Sequence, residues 1–432
     1  MLKNLLGRLF RGLDPSARAP APADDAAQLR AHSLFDAGQF EAAQREYDAL
    51  ARSQPSAAVL VNRGYCELML GQAARAAASF REALDLEAGS VQACIGLGDV
   101  AARRGEHLLA MEHYDRAIAL EPDHALARNN RAQSLHALGR LRDAWSDAEY
   151  RWRAPQPERL YPHHIPLRRW EGELISRGRL LVHWEQGFGD IIQHMRFLPM
   201  LSDRAIPWSF ECPPPLAGPA SRLLGDGDIV QANDGIPDIR RFRCCIGLAS
   251  LPHVLGLDWA SLPRKPYLTA PAARRLPAAR TGIKPLAALC WRSSRFDPDR
   301  DVTLGELLTL KDARWDAVSL QRDVQAGELP LLAHHGIASR GADIADFDDS
   351  AALLEECDLL VSVDTALAHL AGAMGKPVLL LLNEPCAARW MQTRADSPWY
   401  PTMRLVRKPT GTAWLDHMPA VRAMMDEMLR RT

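Results

Sequence analysis

A 34-residue period in the first third of the chain constrains the fold more than any other feature. When Ala57–Ser90 is set above Val91–His124 and the stretch from Ala125 onward, Gly64, Gly98 and Ala132 share one small position. Gly71, Gly105 and Gly139 share a turn position, while Ala76, Ala110 and Ala144 share a second small one, followed by Phe80, Tyr114 and Ala148. Ala83 and Ala117 coincide, and Pro122 closes its copy. An earlier copy, offset by one residue, starts near Asp24 with Gly38, Ala43, Tyr47 and Pro55. A pair of antiparallel helices explains such a period: small residues let the helices approach, and Gly permits the left-handed turn between them. The apolar face of one pair is covered only by the next, so the copies stack.

The pattern resembles tetratricopeptide repeats over residues 24–153. It implies an α-solenoid whose concave groove takes a protein or peptide partner and performs no chemistry. Periodicity alone does not select the groove residues. Residues 1–23 precede the repeats as a tail and linker, with a basic, amphipathic stretch Met1–Phe10 and a Pro/Ala-rich stretch Pro15–Asp24. The tail lacks the apolar centre and cleavage site of a secretory signal. Two readings stand for it: a frayed or packing helix, or weak contact of residues 1–13 with a membrane surface.

The 432-residue chain has room for two more domains of roughly 100–200 residues each. A net charge of -1 draws the molecule to neither nucleic acid nor anionic membrane. No stretch approaches the ~20 apolar residues of a transmembrane span. The eight cysteines form no C-x-x-C pair and no metal-ligand spacing with His. Buried free thiols and a cytoplasmic location are expected.

After Arg153 the pattern changes to short apolar runs separated by helical stretches. Expected strands are Arg179–Trp184, Trp208–Cys212 and Cys244–Gly247, with a helix over Ile191–Leu201. A Pro/Ala/Arg stretch from Thr269 to Arg280 reads as a hinge. Beyond it come strands at Pro285–Trp291, Asp316–Gln321, Asp358–Asp364 and Pro377–Leu382. Helices are expected at Leu304–Leu310, Ser350–Cys357 (capped by Asp349 or Ser350) and Thr365–Met374. This alternation implies parallel sheets covered on both faces. The division is residues 154–275 and 281–432: two open α/β domains facing a cleft, with ligands beyond the strands' carboxyl ends.

Three constellations sit at such ends. Glu185-Gln186-Gly187-Phe188-Gly189-Asp190 joins a strand to a helix; it is not G-x-G-x-x-G, and Asp190 occupies the space a pyrophosphate needs. Asp190 is then either a base at the cleft or a cap of its own helix. Asp364-Thr365-Ala366-Leu367-Ala368-His369 opens a helix whose free N–H groups make an anion site, with Thr365 as hydroxyl donor and His369 one turn in. Small residues Ala371 to Ala373 let that helix lie close on its sheet. Trp291-Arg292-Ser293-Ser294-Arg295 supplies hydroxyls and guanidinium groups suited to a diphosphate. The D-x-D strings at Asp226–Asp228 and Asp297–Asp301 are expected to be solvated loop acids. Trp399 and Tyr400, near Arg389 and Arg394, either stack on a sugar or base or pack in the core.

Asp364 to Pro377 resembles the sugar-nucleotide motif of the heptosyltransferases of glycosyltransferase family 9, and Gly187-Phe188-Gly189-Asp190 resembles their N-terminal loop. Arg169-Trp170-Glu171-Gly172, Glu185-Gln186-Gly187, Ser319-Leu320-Gln321 and Asp396–Pro401 resemble bacterial fusions of tetratricopeptide repeats to such a domain. The resemblance implies a GT-B fold and an inverting, metal-independent transfer from a nucleotide-diphosphate sugar, with no resident cofactor. Asp190 is then the base, and Glu185, Gln186, Gly187 and Gly189 lie on the acceptor side. Ser293, Ser294, Arg300, Gln321, Asp364, Thr365, Ala366 and His369 lie on the donor side. The chain departs from the pattern at Ala366, where heptosyltransferases commonly have Gly. Its loop Phe296–Asp301 is also shorter, with Arg300 in place of a basic Asn-Asp-Arg-x-Arg-Ser segment. The acceptor is expected to be a protein or glycan recruited by the repeats. The competing reading is a non-catalytic repeat scaffold whose degenerate transferase domain still holds nucleotide. An epimerase or hydrolase of nucleotide sugars has no supporting motif.

Overall fold

The structure, a computed structural model, describes residues 25–154, 161, 165–224, 228–231, 238–273, 276, 282–293 and 300–430. The tail and linker of residues 1–23, Ser294, Asp226, Asp297 and Asp299 lie outside the described residues. The chain divides into two compact units: Met1–Pro157 with Ala387–Gln392, and Glu158–Cys386 with Thr393–Thr432.

The first unit holds four helix pairs: α1 (Asp25–Asp36) with α2 (Phe40–Ser53), α3 (Ala57–Met69) with α4 (Ala73–Leu86), α5 (Val91–Arg103) with α6 (His107–Leu120), and α7 (Ala125–Ala137) with α8 (Leu141–Ala148). Gly38, Gly71, Gly105 and Gly139 turn each pair at φ between +74° and +76°, which only Gly adopts without strain. The small positions work as sockets. A Cβ at Gly64 or Gly96 would lie under 3 Å from the Phe80 ring, and one at Gly98 would lie 2.4 Å from that of Tyr114. Both rings are buried, so the second and third pairs are each pinned by an aromatic wedge. Ser56 and Ser90 cap α3 and α5 by accepting from Val59 N–H and Ala93 N–H. Ala387–Gln392 completes this unit, with the Gln392 N–H donating to Ala137 O at 3.2 Å.

The second unit contains two sheets, every strand parallel to its neighbours. The first has order β3-β2-β1-β4, from β1 (Arg179–His183), β2 (Trp208–Cys212), β3 (Asp228–Gln231) and β4 (Phe242–Gly247). The second has order β10-β9-β8-β5-β6-β7, from β5 (Leu286–Cys290), β6 (Asp316–Ser319), β7 (Ala338–Ser339), β8 (Leu359–Val363), β9 (Val378–Asn383) and β10 (Met403–Lys408). Its principal helices are α9 (Phe188–Met195), α10 (Ala217–Leu224), α11 (Phe347–Glu356), α12 (Ala366–Ala373) and α13 (Trp414–Leu429). Strand interiors are almost wholly buried, as sheets covered on both faces require. One core joins the second sheet to α13 through Trp291, Trp315, Trp414, Val421 and Met425.

Helical repeats followed by a GT-B-like pair of parallel sheets agree with the expected fold class. Several local expectations change. Asp346 caps α11, its carboxylate accepting from Asp348 and Asp349 N–H, so the helix starts at Phe347 rather than Ser350. Asp349, an expected cap, is buried one turn in and accepts from Ala345 N–H. The expected helix Ile191–Leu201 is two pieces, Phe188–Met195 and Pro199–Asp203. Asp228 opens β3 instead of lying in a loop.

Candidate functional site

In each sheet the first strand is central, and the chain steps outward to one side before crossing to the other. The order reverses between β1 and β4 in the first sheet and between β5 and β8 in the second. Crevices at such reversals, beyond the carboxyl ends, are where open parallel sheets take ligands. Glu185–Asp190 follows β1, Trp291–Ser293 follows β5, and Asp364–Thr365 follows β8. All three constellations therefore lie at switch points.

Glu185 is buried and crosses the first switch point, its Oε1 accepting from Ala249 N–H at 2.9 Å. The sharp bend that follows is made by Gln186 at φ +66°, not by a glycine. The Gly187 N–H donates to Asp190 Oδ2 at 3.3 Å, so the Asp190 carboxylate does bond to the start of its own helix. Asp190 is half-buried. Gly189 serves a different purpose from backbone freedom. A Cβ there would lie 2.8 Å from His369 Cδ2 and 3.7 Å from Ala366 Cα. The amino ends of α9 and α12, one from each sheet, thus meet within van der Waals distance.

Across that contact, Thr365 caps α12: its Oγ1 accepts from Ala368 N–H at 3.3 Å and lies 3.1 Å from Ser362 Oγ. Asp364 is buried; Arg300 bonds its carboxylate, and His369 Nε2 lies 3.6 Å from its Oδ1. On the other side of the ring, His369 Nδ1 is 2.9 Å from Tyr400 Oη. Beneath the cap, burial pushes the Cys290 thiol up to about 11, with Ser362 and Thr365 hydroxyls pulling the other way. It stays protonated at neutral pH and is no nucleophile.

One expected donor contact turns out to organise the chain. Gln321 Oε1 accepts from Trp291 N–H at 3.0 Å and Arg292 N–H at 2.9 Å, while its Nε2 donates to Arg292 O and to Asp323. With both ends of its amide engaged, Gln321 holds the turn after β5 rather than presenting donors to a ligand. Asp301 accepts from Ser293 N–H at 3.0 Å, so it shapes the same turn and is not a solvated acid. Ser293 is buried there.

One residue without a sequence signal packs against Trp399 and Tyr400, which the sequence did single out. Arg196, just past α9, is 2 % exposed, and its guanidinium donates to Gln193 O, Pro263 O, Trp399 O and Tyr267 Oη. It also sits 4.7 Å from the Tyr400 ring centroid, 5.0 Å from that of Tyr267 and 5.5 Å from that of Trp399. Trp399 and Tyr400 are therefore buried around Arg196, the core-packing alternative. Gly372 backs onto the Tyr400 ring, where a Cβ would come within 2.5 Å. Its smallness also makes room for Tyr400.

Residues 29–93 and 113–146 match the tetratricopeptide repeat family, and residues 345–398 match glycosyltransferase family 9 (heptosyltransferase). The chain carries tetratricopeptide repeats and a glycosyltransferase family 9 domain. The family 9 match takes in β8, α12 and β9, hence Asp364 to His369; the Asp190 turn lies outside it. Protein FlbA of Caulobacter vibrioides is 25% identical over 390 residues, 82% of this chain and 64% of FlbA. The chain thus spans about 64% of that relative's length. ADP-heptose lps heptosyltransferase II of E. coli aligns with TM-score 0.40 and 15% identity, over 59% of this chain and 99% of that one. MamA aligns with TM-score 0.28 and 17% identity, over 36% of this chain and 88% of that one. Among the described residues, no helix beside the family 9 domain or in the repeats is long and apolar enough to cross a membrane.

Proposed function

We propose that the family 9 domain moves a sugar from a nucleotide-diphosphate donor to an acceptor hydroxyl, with inversion and without a metal. One observation carries the reading: the Asp190 turn and the amino end of α12, each at the switch point of its own sheet, meet at Gly189, His369 and Ala366. Asp190 takes the acceptor proton as that oxygen bonds to the anomeric carbon, and the bond from that carbon to the donor phosphate breaks. The departing diphosphate carries the new negative charge. In this reading the positive end of α12, Ser293 and Arg300 stabilise it, with Ser294 expected to join them. The repeats recruit the acceptor, a protein or a glycan, in a cytoplasmic setting that suits eight free cysteines.

A panel of nucleotide-diphosphate sugars in thermal unfolding tests donor binding, since a ligand of the folded state raises the transition by mass action. Asp190→Ala should lose nearly all turnover yet keep nucleotide-diphosphate affinity, and chelator should leave wild-type turnover unchanged. Thr365→Arg should abolish that affinity by filling the anion site. Normal nucleotide binding by Thr365→Arg would remove the donor-site assignment. Donor binding without transfer to any acceptor would leave the scaffold reading instead.

A further inference from the structure

We infer that Gln193 is a specificity-determining residue for the donor, its amide oxygen accepting from a hydroxyl of the transferred sugar. The inference rests on the donor-site reading above and extends it from the diphosphate to the sugar.

Gln193 lies on α9 one turn beyond Asp190 and is 3 % exposed. Its Oε1 is buried without a hydrogen-bond partner. Gln321 makes the contrast, since its amide is engaged at both ends. The cation next along the helix does not relieve Gln193: the Arg196 guanidinium donates to the Gln193 backbone carbonyl and to Pro263 O, Trp399 O and Tyr267 Oη. An unpaired buried amide oxygen costs folding free energy that a Met of the same length would not. A group kept in that state points to a partner that arrives with a ligand.

Helix geometry selects the ligand. At about 100° per residue, Gly189 and Arg196 lie about 20° apart around α9, on the line that meets α12 and Tyr400. Gln193 is about 40° round from Gly189, and Asp190 about 100° round in the same sense. Gln193 therefore sits between the line facing α12 and the Asp190 carboxylate, one turn deeper along the helix. In the proposed reaction the diphosphate lies at the amino end of α12 and the acceptor hydroxyl at Asp190, so the sugar lies between them. A sugar ring brings O–H donors to an amide oxygen, whereas a diphosphate brings acceptors only. The last torsion of a Gln side chain is broad, so the oxygen turns to a hydroxyl without moving the helix. A donor lacking that hydroxyl leaves the amide unpaired, the arrangement that discriminates most strongly between substrates.

The test is Gln193→Met in the full-length chain, which keeps the length of the side chain and removes the amide. Without ligand, Gln193→Met should melt about 2 °C above wild type, because the unpaired oxygen is gone. Calorimetric titration then compares UDP and ADP with UDP-glucose, UDP-N-acetylglucosamine and ADP-glucose. Affinity for the nucleotide sugar that wild type binds most tightly should fall about tenfold in Gln193→Met, the loss of one buried hydrogen bond. Affinity for the matching bare nucleotide should stay within about twofold. A purely structural amide would instead lower the melting temperature and move both affinities together. Gln193→Met that melts below wild type, or that keeps the wild-type ratio of the two affinities, would overturn the role of Gln193 and leave the donor-site reading intact. Wild type that binds none of these probes would overturn the donor-site reading, and the sugar contact with it.

Discussion

At the scale of single residues, the site depends on two glycines chosen for space. Gly189 lets α9 touch α12, and His369, pinned by Tyr400 and facing Asp364, has nowhere to move when a methyl arrives 2.8 Å from its Cδ2. Gly189→Ala should therefore cut kcat/KM for glycosyl transfer by at least about tenfold, since sub-ångström displacement of binding groups is costly. A melting curve close to wild type beside that loss identifies the effect as local; unchanged turnover would mean His369 does not contact the donor. Gly341 is the stricter case. Its Cβ would fall 1.8 Å from Gln321 O, a backbone atom that cannot swing aside. Gly341→Ala should destabilise the second unit by about 3 kcal/mol, the upper end of overpacking, and loosen the turn that Gln321 holds. Denaturant titration measures it. As candidates, Asp364, Thr365 and His369 were legible because they are contiguous, opening a helix after an apolar run. Arg196 was not, since its partners Pro263, Tyr267 and Trp399 are distant in sequence and the chain is rich in arginine throughout. Gln321 was placed on the donor side because no sequence shows that both ends of an amide are already engaged.

At the scale of elements, the repeats carry a buried acid with a measurable signature. Asp99 on α5 accepts from Tyr114 Oη at 2.7 Å and Asn130 Nδ2 at 2.9 Å, while its other oxygen is buried without a hydrogen-bond partner. Burial pushes its carboxyl up to about 6, against the pull of Tyr114, Arg103 and Asn130. The unfolded chain releases this proton near the ordinary value of 3.8, so between there and about 6 the folded state binds more protons. Stability of the repeats should fall as pH rises through that window and stay lower above it. Asp99→Asn keeps an oxygen for Tyr114 and Asn130 and has no charge to desolvate. It should flatten this slope and, at pH 7.5, stabilise the repeats on the order of 1 kcal/mol, the gain being trimmed by a new buried N–H. Urea unfolding at pH 4.5 and 7.5 decides; equal slopes for both proteins would refute the assignment. The repeats themselves were readable because identical sockets recur every 34 residues, each showing as a glycine or alanine. Among the strands, β10 escaped notice: Met403-Arg404-Leu405-Val406-Arg407-Lys408 alternates charge with apolar residues, as an edge strand does, and lacks the continuous run of its inner neighbours. β7 is two exposed residues long and carries no pattern at all.

At the scale of the whole second unit, the two sheets are joined along one seam of helices. It runs from Arg222 on α10 with Asp348 on α11, through the Phe188 and Phe347 rings at 5.3 Å, to Gly189 against His369 and finally Arg196 against Tyr400. The Tyr267 and Leu268 N–H groups, both donating to Ala373 O, tie the segment before Thr269 onto α12. The seam brings the candidate residues of two separate sheets together, and its charged end can be tested away from them. The Arg222 and Asp348 side chains are 25% and 17% exposed and bond at 2.7 Å, an environment between a free surface pair and a buried one. Surface pairs contribute up to about 1 kcal/mol and are screened by salt, whereas buried ones are screened far less. A double-mutant cycle of Arg222→Ala and Asp348→Ala should therefore give a coupling of about 1 kcal/mol in low salt that persists at about half that value in 1 M salt. Additivity within about 0.3 kcal/mol would mean that the apolar contacts at Phe188 and Gly189 hold the seam alone. Because neither side chain belongs to the proposed site, kcat of the Asp348→Ala protein should stay near wild type, and any change should appear in the donor KM, where opening of the seam is felt.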